Sequence, residues 1–588
     1  MIRDHKLSHT GESASSEKLP GYASRRLFLL AVFFVVAVVL VGRAAQIQVF
    51  DNAFLNDQGD KRQVRNVKIA TSRGMIMDRN GEPLAISIPV DTLWVNPKKI
   101  IKQPEAIPVL AAALGVPVEK LTQQLLKRKK RGFYYLQRHA KPSLVKRVMA
   151  LNIESVHKLR EYRRFYPDGE VSAQIVGFTN IDDVGQEGIE LAFNKTLTGT
   201  DGMKRVVLDG RRNVVESLDE NKEEDVESIK EMIPGESIRL SIDRKIQYLV
   251  YRALKKAVTK NKATSASAIV LDVHTGEVLA MSNYPSFNPN HREGQKKAFY
   301  RNRVVTDVFE PGSTMKPFTV AHGLMTGKYG PNTMIDTYPG YYKVGRLLVK
   351  DFRNYDQIDV TEAIKYSSNV AMTKIALSTS PEKLWTLLRK VGFGQATDIL
   401  FPGEVKGTLR HFGGWRTVDH ATLSYGYGIA VSALQLAKAY LVIASDGRFK
   451  PISLLKLNKA PKGEPIIPQQ VAQKVRRMME TVVMASDGTG RRASVEGYVV
   501  AGKTGTAKKA AAGGYSKKSY FSVFSGMVPA SNPELVMVVM VDDPKGEEYS
   551  GGRVAAPVFA DVMKSALRIL GVAPDGLPEN QRIAQGSD

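Results

Sequence analysis

The hydrophobic pattern divides the chain into stretches of different period. Residues 27–42, LFLLAVFFVVAVVLVG, are an unbroken apolar run with no polar face. Extended to Ile47, the run holds a single charge, Arg43. It then matches the ~20 residues a helix needs to span a bilayer, and Arg43 lies near its end, where a long side chain snorkels to the headgroups. Its length favours an uncleaved anchor over a signal peptide, although Gly42-x-Ala44 is a weak cleavage signal. From 46 to about 235 short apolar stretches alternate with turns. "DRNG" at 78–81 is a turn between the strand-like "GMIM" and "PLAISI", and 104–129 reads as helical before the basic run KRKKR at 127–131.

The texture changes near residue 236. "ESIRLSIDRKIQYLVYRALKKAV" predicts a strand followed by an amphipathic helix. "SAIVLDVHTGEVLAMSNYP" predicts a hairpin turning at His274-Thr275-Gly276. "ELVMVVMVDD" (534–543) is a buried strand and "APVFADVMKSALRIL" (556–570) a closing helix. Strands at both ends with mostly helix between predict an α+β fold. An antiparallel sheet is covered by helices from the two termini and encloses a helical subdomain. The expected layout is a tail (1–26), an anchor (27–47), an elongated mixed pedestal (48–235), a second domain (236–575) and a flexible tail (576–588). The acidic stretch 217–232, SLDENKEEDVESIKEM, is an expected exposed linker. No internal repeat is visible.

Composition narrows the function. The net charge is +25, which favours anionic surroundings. Basic residues are spread along the chain and no nucleic-acid-binding signature is present, so an anionic membrane or wall polymer fits better than nucleic acid. There is no cysteine, which excludes disulfides, thiol catalysis and cysteine-bound zinc. The nine histidines form no H-E-x-x-H, so no metal site is expected.

The chemistry-bearing stretch is "EPGSTMKP", 310–317, with Ser313 and Lys316 three apart. S-x-x-K recurs from Ser15, Ser143, Ser155, Ser380 and Ser453, so spacing alone decides nothing. Pro311-Gly312 predicts a turn that delivers Ser313 to the start of a helix, where free N–H groups and the dipole favour developing negative charge. Two further groups follow. "YSSNVA" supplies Ser367 and Asn369 within the expected helical stretch "TEAIKYSSNVAMTKIAL", and "AGKTGTA" supplies Lys503, Thr504, Gly505 and Thr506 between strand-like segments. The order S-x-x-K, S-x-N, K-T-G is the signature of penicillin-recognising serine acyltransferases.

At these residues the chain resembles a class B penicillin-binding protein. "RGMIMDRNG" (73–81), "RRFYPDGEVSAQIVGFTN" (163–180) and "GQEGIELAFNKTLTG" (185–199) are similar to that family's pedestal motifs, with an expected structural role. Asn369, "VFEPGSTMKP" and "LSYGYGIAVSALQLA" (423–437) are similar to the division branch, the FtsI type, with Tyr425 where Phe is expected.

The resemblance implies a peptidoglycan D,D-transpeptidase of the division septum. Ser313 attacks the penultimate D-Ala of a stem pentapeptide, D-Ala leaves, and an amine of a neighbouring stem forms the cross-link. Lys316 is the base and must be neutral, against an ordinary lysine value of about 10.4; burial and Lys503 would lower it. Ser367 relays a proton to the leaving group, and Asn369 bonds Lys316 and the substrate. Thr504 and Thr506, with Lys503, hold the terminal carboxylate. Gly505 lets the substrate backbone run close, and the N–H groups of Ser313 and Thr506 form the oxyanion hole. No metal or organic cofactor is implied. Implied partners are β-lactams, the membrane, an FtsW-type glycan polymerase and other divisome proteins. The stem peptides lie outside the inner membrane, which puts the N-terminus in the cytoplasm and the catalytic domain in the periplasm. The alternatives are an elongation-type enzyme, a carboxypeptidase or β-lactamase-like hydrolase, and a division scaffold.

Overall fold

The computed structural model describes residues 22–52, 54, 64–207, 228–511 and 514–576. Most of the linker expected at 217–232 and the terminal tails lie outside the described residues. The chain forms two compact units. One unit, residues 1–69 with 201–232, holds a helix over Tyr22–Ala45 that continues as a π-helical turn to Phe50. Ser24–Val49 has a mean hydropathy of 2.7 and is long and apolar enough to cross a membrane. The same unit contains a small antiparallel sheet of Val64–Ile69, Gly202–Val207 and Ser228–Lys230, so the acidic linker ends as a strand.

The other unit, residues 70–200 with 233–588, begins with β1 (Ile76–Met77) and β2 (Pro83–Val95). Asp78 shapes the intervening turn by accepting from the N–H groups of Asn80 and Glu82. Next come α1 (Ala106–Leu114) and α2 (Val118–Leu126), two helices where the sequence pattern predicts one. Gly115 closes the first in the left-handed region (φ +72°) and Pro117 stands immediately before the second. β3 (Tyr134–Ala140), α3 (Pro142–Met149) and β4 (Val156–Phe165) complete this lobe, with β3 and β4 flanking β2. The short strand β5 (Ile238–Arg239) pairs parallel with β1. The strand expected to open the second domain thus belongs to the sheet of the first.

After α4 (Arg244–Asn261) the main sheet begins with β6 (Ser265–Asp272) and β7 (Val278–Tyr284), the expected hairpin. The chain then enters a mostly helical insertion containing three short two-stranded ladders. Its helices include α5 (Lys316–Met325), α6 (Val360–Lys365), α7 (Asn369–Leu377), α8 (Ala433–Ala444) and α9 (Gln469–Met484). It returns as β8 (Ala501–Ala511), β9 (Gly514–Val528) and β10 (Leu535–Asp542), closing with α10 (Ala556–Ile569). The sheet order is β7-β6-β10-β9-β8, antiparallel throughout. Every residue of β10 is buried, as befits a central strand covered on both faces. α4 and α10 pack together, and α8 and α9 also contact the sheet. β8 is the edge strand, and K-T-G lies inside it rather than between strands.

Candidate active site

The edge strand and the helical insertion meet at a turn of 3-10 helix, Gly312–Met315, that runs into α5. Ser313 therefore sits one turn before the α-helix, and Lys316 is its first residue. Pro317 occupies the first turn, where a missing N–H costs nothing. Gly312 has φ +53°, and its N–H donates to the carbonyl of Gly426 at 3.1 Å. A Cβ on Gly426 would fall 2.0 Å from the carbonyl oxygen of Gly312. Tyr440 of α8, fully buried, donates its hydroxyl to the Thr314 carbonyl at 2.9 Å. The serine-bearing turn is thus fixed from two sides.

The expected helical stretch 361–377 is two helices. α6 ends, Ser367 adopts φ +64°, and α7 starts at Asn369. The left-handed residue turns the Ser367 side chain out of the helical path. Its hydroxyl lies 3.0 Å from Lys316 Nζ and 3.0 Å from Lys503 Nζ. Lys316 Nζ also donates to Asn369 Oδ1 at 2.8 Å and to the Ser367 carbonyl. Both lysines have no exposed surface. Of the sequence-predicted residues, the structure brings Lys316, Ser367, Asn369 and Lys503 into one hydrogen-bonded cluster. Ser313, one turn before Lys316, is half-buried, and the contacts of Lys316 Nζ go to Ser367 and Asn369.

Burial first, and then the charge of Lys503, push Lys316 well below the ordinary lysine range, while Asp351 pulls the other way. Burial lowers Lys503 to about 7. Three oxygens surround Lys316 Nζ and accept from it: the Ser367 carbonyl, the Ser367 hydroxyl and Asn369 Oδ1. Lys503 Nζ faces the same hydroxyl and, at 3.2 Å, the Thr504 carbonyl.

Along β8 the side chains alternate. Thr504 is 3.4 Å from the hydroxyl of Thr489, and Thr506 accepts from the N–H of Gly551 at 3.0 Å. A Cβ on Gly505 would meet the Pro311 carbonyl and the Thr314 methyl at 3.0 Å each. Gly505 therefore lets the chain's own S-x-x-K turn lie close against β8.

Asp351 was not legible in the sequence, where it is one acid in the polar stretch KDFRNYD. Its carboxylate accepts from the N–H groups of Asn369 and Val370 and from the Ser368 hydroxyl. It caps α7 and fixes the backbone that carries Asn369. The rival S-x-x-K serines sit elsewhere. Ser143 is in α3, Ser155 is buried in the first lobe, Ser380 caps the helix Pro381–Lys390, and Ser453 donates to the Leu455 carbonyl in a segment that forms two isolated bridges rather than the expected strand. Ser15 lies outside the described residues.

Comparison with known proteins agrees with this geometry. The penicillin-binding protein transpeptidase domain family matches residues 266–564, and the penicillin-binding protein dimerisation domain family matches 68–240. A probable peptidoglycan D,D-transpeptidase, PbpC, of Pseudomonas aeruginosa is 42% identical over 95% of this chain and 98% of its own length. The peptidoglycan D,D-transpeptidase FtsI of Escherichia coli K12 is 38% identical over 97% of this chain and 96% of its own. The solved transpeptidase domain of penicillin-binding protein 3 from Burkholderia pseudomallei is 43% identical, with a TM-score of 0.54, over 58% of this chain and 98% of that structure. Two family domains in order on one chain, with relatives alike over almost its whole length, make it a class B penicillin-binding protein and a peptidoglycan D,D-transpeptidase.

Proposed function

We propose that Ser313 is the acylated nucleophile of this transpeptidase and that the enzyme serves the division septum. The observation that carries the first half is the convergence of two buried lysines on one hydroxyl, each 3.0 Å from Ser367 Oγ. Ser313 Oγ attacks the carbonyl of the penultimate D-Ala and gives its proton to Lys316. The N–H groups of Ser313 and Thr506 take the oxyanion. Ser367 passes a proton to the departing D-Ala nitrogen, with Lys503 holding its hydroxyl in line. Thr504 and Thr506, with Lys503, receive the terminal carboxylate, and Asn369 orients Lys316. A stem amine then displaces Ser313 from the ester. β-Lactams acylate the same oxygen.

The septal role is supported by the FtsI relative, and the apolar helix by the need to hold the catalytic domain against the outer face of the inner membrane. The tail before it is cytoplasmic, and an FtsW-type glycan polymerase with other divisome proteins completes the partner set. The name PbpC of the other relative carries no division term, which keeps a second reading open: the same chemistry serving wall synthesis outside the septum. Two measurements decide. Mass spectrometry of the penicillin adduct should find the label on Ser313, and label on another residue sinks the assignment. Depletion with Ser313→Ala complementation should give filaments; rounded or swollen cells would favour the second reading, and normal division would make catalysis dispensable.

A further inference from the structure

Beside β8, on the side of Thr504, opens a cavity of about 550 Å³ whose lining includes Thr489, Arg491, Arg492, Ser550, Gly552 and Arg553. It adjoins Thr504, the neighbour of Lys503 on β8. The Thr489 hydroxyl is 3.4 Å from that of Thr504, and a Cβ on Gly552 would come within 3.4 Å of the Thr504 methyl. Three arginines line the cavity and no acidic residue does. Glu548 holds Arg492 at 2.9 Å and Arg553 at 3.3 Å, so one carboxylate serves two cations. Arg491 has no carboxylate partner among the described residues. A cavity with surplus arginine and hydroxyl donors suits a carboxylate, which guanidinium groups bind with two parallel hydrogen bonds.

We propose that this cavity is a carboxylate subsite for the acyl-acceptor stem peptide. The inference rests on the assignment of Ser313 as the acylated residue. Under that assignment Lys503 and Thr504 mark the end of β8 from which D-Ala departs. The acceptor amine enters where D-Ala leaves. Its nitrogen bonds to the acyl carbon, the bond from that carbon to Ser313 Oγ breaks, and the proton lost by the amine returns to Oγ through Lys316. The rest of the acceptor then extends past Thr504 and over Thr489, and its own terminal carboxylate reaches Arg491 and Arg553. The cavity thereby selects an acceptor that is itself an anionic stem over water or a neutral amine.

The test uses the full-length protein in detergent, a thioester donor peptide, and an acceptor stem pentapeptide in two forms, with free and with amidated carboxylates. Arg491→Ala with Arg553→Ala should raise the acceptor KM about tenfold for the free acid, the effect of one lost charge-assisted contact. The amidated acceptor should show no change, Arg491→Lys should recover part of the loss, and acylation by fluorescent penicillin should keep its wild-type rate. An unchanged KM for the free acid overturns the proposal, as does an equal rise for the amidated form. A raised donor KM would assign the cavity to the donor and overturn it too. Penicillin labelling that survives Ser313→Ala would instead fault the nucleophile assignment, a separate outcome.

Discussion

At the scale of residues, Lys316 and Lys503 set the pH behaviour. In the proposed mechanism Lys316 acts as base only when neutral, so acylation rises with pH until Lys316 has lost its proton. Two neighbours bias that point in opposite directions: the Lys503 charge lowers the Lys316 value and Asp351 raises it. Lys503→Gln should therefore move the acid limb of penicillin acylation to higher pH. Asp351→Asn should move it to lower pH. Shifts of the same sign in both variants would contradict the electrostatic account. A stability effect follows from the same burial. Folded Lys503 titrates near 7 and an unfolded lysine near about 10.4. Between those values the unfolded chain holds one more proton than the folded one, so stability rises with pH through that window. At and below neutrality the folded state bears the whole cost of burying this group. Lys503→Met should raise the thermal midpoint at pH 7 by a few degrees, on the order expected for ~1 kcal/mol in a domain of this size, while abolishing acylation. The gain should shrink above about pH 10. A lowered midpoint at pH 7 would show that the hydrogen bonds of Lys503 outweigh its desolvation.

At the scale of elements, the site depends on how tightly the S-x-x-K turn lies on β8. Gly505→Ala places a methyl 3.0 Å from the Pro311 carbonyl and from the Thr314 methyl. The turn must then lift by a few tenths of an ångström, carrying Ser313 with it. Because misplacement of about 1 Å can cost 10²-fold, penicillin acylation should fall at least tenfold with the fold retained by circular dichroism. Wild-type acylation would mean the turn is free to move. Strands β6, β7 and β10 were legible because their apolar runs are long and bounded by turn residues, as in AIVLDV and LVMVVMVD; β8 and β9 were not, and K-T-G was expected between strands rather than inside one. The three motifs were legible from their order. The break at Ser367 was not, because "TEAIKYSSNVAMTKIAL" keeps a helical apolar period across a residue that turns left-handed only under tertiary contacts. The split at Gly115-Val116-Pro117 carried a local signal that the longer period masked. Asp351 was invisible for another reason: its partners lie seventeen to nineteen residues away, and no local pattern encodes such a cap.

At the scale of the whole molecule, the unit holding the catalytic sheet also contains the first lobe, and polar contacts join them. Asn290 exchanges two hydrogen bonds with the backbone of Tyr166, Gln247 donates to the Val171 carbonyl, and Arg244 pairs with Asp168. β5, leading into α4, closes the sheet of the lobe. Inside the lobe, Glu190 is fully buried between Arg73 and Arg164, 2.6 Å from each. Removing the acid strands two buried guanidinium groups, and breaking a buried pair costs about 3–5 kcal/mol. Glu190→Ala should therefore lower the thermal midpoint by roughly 10 °C, at about 2–4 °C per kcal/mol for a domain-sized unit. The shared strand and contacts make a further demand: the lobe cannot melt and leave the catalytic sheet undisturbed. Calorimetry of the variant should show one transition, and thermal loss of penicillin binding should follow the same midpoint although Glu190 touches no residue of the lysine cluster. Two transitions, with penicillin binding tracking an unshifted upper one, would mean that the lobe and the catalytic sheet fold independently and that β5 is only a tether.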